Sequence, residues 1–159
     1  MARQCGFTLI EMLTVMAVLG VLALMAVPSM RDGVLRKQVS EGLVLADVAR
    51  VGVQTAWALN GAMPADNKAA GVPDSRKIVG NVVQEVSVEQ GAITVTFGNN
   101  ASKAIEGKRV TLRPAVVPDE RAVPIAWLCH LAKAPGGMEV HGRDDTDVPP
   151  EWLPVACRP

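Results

Sequence analysis

With 159 residues, the chain has room for one ordinary domain and one further element. Its 16 Lys and Arg balance 16 Asp and Glu, so no overall field steers it toward nucleic acid or an anionic membrane. The average conceals a segregation: from Phe7 to Met30 the only charged residue is Glu11, whereas both signs are spread over the remainder, and neither part has the composition of a disordered chain.

The first element in chain order is the apolar stretch FTLIEMLTVMAVLGVLALMAVPSM, residues 7–30. As a helix rising ~1.5 Å per residue it spans ~36 Å, enough for a bilayer core of ~30 Å. A cleavable secretory signal has a shorter apolar region closed by a small-x-small cleavage site. Here the run is longer and RDGVLRKQ, residues 31–38, continues in helical register, which predicts that the segment is retained. Arg3 precedes the run while Arg31, Arg36 and Lys37 follow it, so the distribution of basic residues does not set an orientation. Gly20 lowers helix propensity and Pro28 removes one backbone hydrogen bond, although both residue types are common in membrane helices. Glu11 demands an account. A carboxylate within an apolar segment is costly unless it snorkels to the headgroups from a helix end or finds a partner, and by default it marks a functional position.

Beyond Pro28 a helical pattern resumes. Leu35, Val39, Leu43, Ala46, Ala49, Val53 and Trp57 recur at spacings of three and four, an apolar stripe, while Lys37/Glu41 and Asp47/Arg50 pair charges on the other face. Asn60-Gly61 and Pro64 end it. A continuous helix from Phe7 to about Leu59 would be roughly 80 Å long. The other ~100 residues form a globule with a radius of gyration of about 13 Å, so the N-terminal half of the helix is expected to project from a head. Residues 60–78, rich in Gly, Pro, Asp and Asn, read as a surface loop. Strand patterns follow at 82–88, 92–97, 108–114 and 124–127, with a turn at Gln90-Gly91. Four antiparallel strands in a meander, packed on the stripe from Leu35 to Trp57, give an α+β head.

Catalytic chemistry finds no support in these residues: there is no P-loop, GxSxG or HExxH motif, and both His lie in one irregular stretch. Cys129, His130, His141 and Cys157 fit no common zinc spacing, and Asp144, Asp145 and Asp147 lack EF-hand spacing, so no metal and no cofactor is expected.

Gly6-Phe7-Thr8-Leu9-Ile10-Glu11, after a short leader carrying Arg3, resembles the processing site of type IV prepilins. The likeness extends to residues 78–99 and to PIAWLC, residues 124–129, which resemble the sheet region and Trp-x-Cys end of Gram-negative type IVa pilins; residues 60–78 and 130–156 carry the least of it. The resemblance implies cleavage between Gly6 and Phe7 by a membrane prepilin peptidase, N-methylation of Phe7, and retention of the apolar run. Gly at the scissile bond lets backbone enter a tight active site. In the family the acid corresponding to Glu11 is thought to neutralise the N-terminal amine of a neighbouring subunit during assembly, a pairing that low dielectric strengthens. Gly20 and Pro28 match family positions where the helix loosens in the filament. Residues 1–6 are then leader, 7–30 a transmembrane and filament-core helix, and 31–159 a periplasmic or extracellular head.

Of the three Cys, Cys5 falls in the leader. An oxidising compartment leaves Cys129 and Cys157 as an even pair, and a bond between them closes a loop of about 29 residues, valued at roughly 3–4 kcal/mol by chain entropy. The implied partners are copies of the chain itself, the prepilin peptidase, an inner-membrane platform protein and an assembly ATPase. The implied place is the inner membrane as a single-pass protein, then an extracellular pilus. Adhesion, twitching motility and DNA uptake are the family's roles. Three further readings compete. A DNA-binding competence pilin would use Lys133, Arg143 and Arg158 with His130 and His141, although Asp144, Asp145 and Asp147 sit among them. A minor pilin or type II secretion pseudopilin is disfavoured by the Cys pair, and a membrane-anchored periplasmic domain leaves Gly6, Phe7 and Glu11 unexplained.

Overall fold

The computed structural model describes residues 6–158, apart from the side chains of residues 25–30. Arg3, Cys5 and the rest of the leader before Gly6, and the side chain of Pro28, lie outside the described residues. Helix α1 spans Leu9–Leu45 and helix α2 spans Asp47–Asn60. The chain divides into two compact units, one ending at Val34 and one beginning at Leu35.

In the first unit the side chains of α1 from Leu9 to Leu24 are apolar except Glu11 and Thr14, and every described side chain from Phe7 to Leu24 is exposed. Among the described residues no helix is long and apolar enough to cross a membrane. Residues 9–24, whose side chains are described, rise about 24 Å, short of a ~30 Å hydrocarbon core.

In the second unit the expected stripe is the buried face. Leu35, Val39, Ala46, Ala49, Val53 and Trp57 are buried and Leu43 is partly so. The continuous helix anticipated from sequence is interrupted at one residue, Ala46. There the Ala49 N–H donates to the Ala46 carbonyl at 3.0 Å, a three-residue closure that tightens one turn, while Arg50 keeps the four-residue bond to the same carbonyl. Gly42 faces the sheet so closely that a Cβ there would lie 2.5 Å from the Phe97 ring. Gly61 ends α2 in the left-handed region at φ 66°, its N–H donating to the Trp57 carbonyl at 2.8 Å.

The sheet is an antiparallel meander in the order β1 (Val83–Glu89), β2 (Ala92–Phe97), β3 (Arg109–Val116), β4 (Ala126–Cys129). The last strand begins two residues later than its pattern suggested. A fifth strand, β5 (Glu139–Val140), pairs with β3 through Ala115↔Val140 and Val116↔Glu139. Two residues carry no readable alternation; the unpaired β3 edge past the start of β2 makes them a strand. Pro114, which has no N–H, falls in β3 where β2 gives way to β5, and its carbonyl accepts from the His141 N–H at 2.9 Å. Phe97, Ile93, Ile105, Leu112 and Leu153 are the largest fully buried side chains, packed with the valines of β1–β3 and with Val39 and Val53.

Residues 60–78 are more than a surface loop. Asn67 is buried; its amide donates to the carbonyls of Pro73 (2.9 Å) and Val86 (3.1 Å), and its carbonyl accepts from the Val88 N–H (2.7 Å). One side chain thus pairs with the free edge of β1 as a neighbouring strand would.

Candidate functional site

Two regions concentrate the unusual chemistry, the start of α1 and the loop closed by the disulfide. Phe7 is 82% exposed, and Gly6 before it has nothing within 4 Å of where a Cβ would stand. Thr8 precedes the first helical residue, and Glu11 is the third. The Thr8 N–H and hydroxyl donate to Glu11 Oε2 at 3.0 and 3.1 Å, and the Glu11 N–H donates to Thr8 Oγ1 at 3.3 Å. This reciprocal pairing is a capping box: two helix-start donors that the backbone leaves unpaired are satisfied by side chains. The Thr14 hydroxyl donates to the Glu11 carbonyl at 2.9 Å. Within one chain, therefore, the carboxylate set among apolar residues is held by Thr8. Sequence reasoning sought its partner only in an amine and missed Thr8, although Thr-x-x-Glu before an apolar run is a recognisable helix-start pattern. Gly20 lies inside α1 with no neighbour within 4 Å of a Cβ position, so spatial crowding does not require glycine there.

The second region is organised by the bond between Cys129, at the end of β4, and Cys157, both buried and 28 positions apart. As disulfide sulfurs they are no thiolate ligands for a metal. The three aspartates in this loop are engaged separately: Asp144 faces His130 Nδ1 at 3.2 Å, Asp145 pairs with Arg143 at 3.0 Å, and Asp147 accepts from the Arg109 N–H. Among the described residues no three His, Cys, Asp or Glu side chains gather as metal ligands would. Two of the basic residues are engaged within the loop. Arg143 is neutralised by Asp145, and Arg158 donates to the carbonyls of Leu153 (3.0 Å) and Glu151 (3.3 Å). The loop also completes β3: Thr146 Oγ1 accepts from the Thr111 N–H at 3.0 Å, and Asp147 donates its N–H to the Arg109 carbonyl at 3.0 Å.

An exposed and largely apolar helix with one capped acid thus precedes an α+β head closed by a disulfide. Comparison with known proteins says which class of protein has this arrangement. Residues 36–158 match the pilin family of bacterial filaments, and residues 1–27 match the prokaryotic N-terminal methylation motif. The chain is 35% identical to a type IV major pilin protein PilE1 of Neisseria gonorrhoeae over 98% of its own length and 87% of that protein's. It is 40% identical to a fimbrial protein of Neisseria meningitidis over 69% of its length and 65% of the relative's, and 32% identical to a probable minor fimbrial protein of Dichelobacter nodosus over 82% and 89%. The chain belongs to the type IV pilin family and is a structural pilus subunit.

Proposed function

We propose that the chain is made as a precursor held in the inner membrane by residues 7–30, cut by a prepilin peptidase between Gly6 and Phe7, N-methylated on Phe7, and polymerised with copies of itself into an extracellular pilus. The observation that carries this reading is the exposed apolar surface of α1 from Phe7 to Leu24. Soluble monomers rarely present a contiguous apolar face of that extent, and lipid before assembly or neighbouring helices after it would remove it from water. The match of residues 1–27 to the N-terminal methylation motif supports the site of cutting. Gly20 and Pro28 are the positions where α1 would loosen as subunits pack, since proline leaves a carbonyl one turn earlier without its donor. An inner-membrane platform protein and an assembly ATPase would supply the machinery, and the filament would serve adhesion and twitching motility. Arg143 and Arg158, engaged within the loop, do not favour a DNA-receptor role.

Processing is tested by Gly6→Leu. The expected product is a precursor whose intact mass retains residues 1–6; a normal mature mass with methylated Phe7 would overturn the assigned cut.

A further inference from the structure

Arg36 stands at the start of the second unit, separated from the apolar run 7–30 only by residues 31–35. Its Nε–H donates at 2.8 Å to the carbonyl of Glu151, in the short turn Pro150–Trp152. The same carbonyl accepts from Arg158 Nη2 at 3.3 Å, and Arg158 Nε donates to the Leu153 carbonyl at 3.0 Å. Two guanidiniums far apart in sequence thus meet on one neutral oxygen. We propose that they clamp the phosphate of an anionic phospholipid, and so seat the C-terminal strap, residues 149–158, on the membrane surface.

The argument rests on charge that the fold gathers and leaves uncompensated. Among the described residues Arg50, Lys77 and Arg143 each hold an aspartate, whereas neither Arg36 nor Arg158 enters an ion pair, and the Glu151 carboxylate pairs with neither. Like charges drawn to one oxygen repel, and a carbonyl dipole offsets that only in part. Arg158 is half-buried, so water screens it less than a free surface charge. A guanidinium has five N–H donors, and the three bonds to carbonyls leave both Nη groups of Arg36 and Nη1 of Arg158 open among the described residues. A phosphate takes such forks in paired, charge-assisted bonds, which a carbonyl cannot accept.

Position selects the lipid as the source of that phosphate. The chain from residue 30 to Arg36 reaches ~20 Å even when fully extended, so Arg36 stays close to whatever covers the apolar run. Cations just outside an apolar span are drawn to anionic headgroups, and tryptophan is enriched at the same level. The strap brings both kinds of residue: Trp152, half-buried, follows Glu151, and Val155, 82% exposed, adds apolar surface before Arg158. A nucleic-acid backbone presents a row of phosphates and calls for a row of cations, which two arginines do not make. The inference rests on the reading that residues 7–30 lie in lipid before assembly.

The test is native mass spectrometry of the full chain in detergent micelles, titrated with phosphatidylglycerol, phosphatidylcholine, inorganic phosphate or a short DNA duplex. Phosphatidylglycerol should be held about tenfold more tightly than phosphatidylcholine. Arg36→Gln and Arg158→Gln should each remove about tenfold, the worth of one hydrogen bond to a charged group, while Lys37→Gln, exposed and outside the clamp, should change little. If Arg158→Gln does not fold, Arg36→Gln, at an exposed side chain, decides. Equal retention of the two lipids, an affinity unchanged in the folded variants, an equal loss in Lys37→Gln, or tighter binding of inorganic phosphate or of the duplex than of phosphatidylglycerol would overturn the proposal. Insertion of the chain into vesicles of phosphatidylcholine alone tests the membrane reading by itself, so the two fail separately.

Discussion

Thr8, Gly42 and Asn67 each do something that their neighbours in sequence do not reveal at once. Thr8 holds the Glu11 carboxylate, so pairing of this acid with an amine would trade one set of hydrogen bonds for a charge-assisted one. Gly42 allows Phe97 to lie directly on the helix backbone. Asn67 makes three hydrogen bonds, and the two to Val86 and Val88 close the β1 edge. Asn67→Ala would leave a strand carbonyl and a strand N–H unpaired in a buried place, and should destabilise the head by about 1–3 kcal/mol. Urea denaturation followed by circular dichroism measures it; an unchanged midpoint would mean that water replaces the amide without loss.

At the scale of elements, β3 is the axis of the head. Its neighbours on one side are β2 and then β5; on the other they are residues 146–147 and then β4. Two of these four partners come from the disulfide-bounded segment, which is therefore part of the sheet and not a decoration upon it. Opening the Cys129–Cys157 bond by a paired Cys→Ser change lengthens the loop available to the unfolded chain and should cost roughly 3–4 kcal/mol by the chain-entropy relation. The loss should appear as a lower denaturation midpoint, with earlier proteolytic nicking between residues 130 and 156. Equal stability of the two forms would assign the loop's order to its hydrogen bonds with β3 alone.

For the whole molecule, the two units have different requirements. The head from Leu35 onward buries its own core, whereas α1 up to Leu24 buries none of its described apolar side chains. The role in assembly that the family resemblance implies for Glu11 belongs here. Glu11→Ala should still enter the membrane, because it removes the one charge in the run, yet filament yield should fall steeply as the amine of Phe7 loses its counter-charge. Sheared filaments quantified by immunoblot against the membrane pool measure this, and wild-type yield would refute the pairing.

Much of this was legible beforehand. Helical spacing marks the buried stripe and alternation marks four strands, because each of those signals depends on neighbours within a few residues; the roles of Gly6, Phe7 and Glu11 rest on the proposed processing and assembly. The Thr8 cap is equally local, a Thr-x-x-Glu pattern at the start of the helix. The pairing of β5 and the use of Asn67 as a surrogate strand left no local trace. These depend on groups dozens of residues away, and a side chain's partner across such distances is chosen by how the sheet edges and the helix end come to rest. Sequence by itself therefore determined which segments are apolar, regular or cross-linkable. Tertiary structure alone decided which edges and polar atoms remain open, since an unmet hydrogen bond exists only once its surroundings have been built.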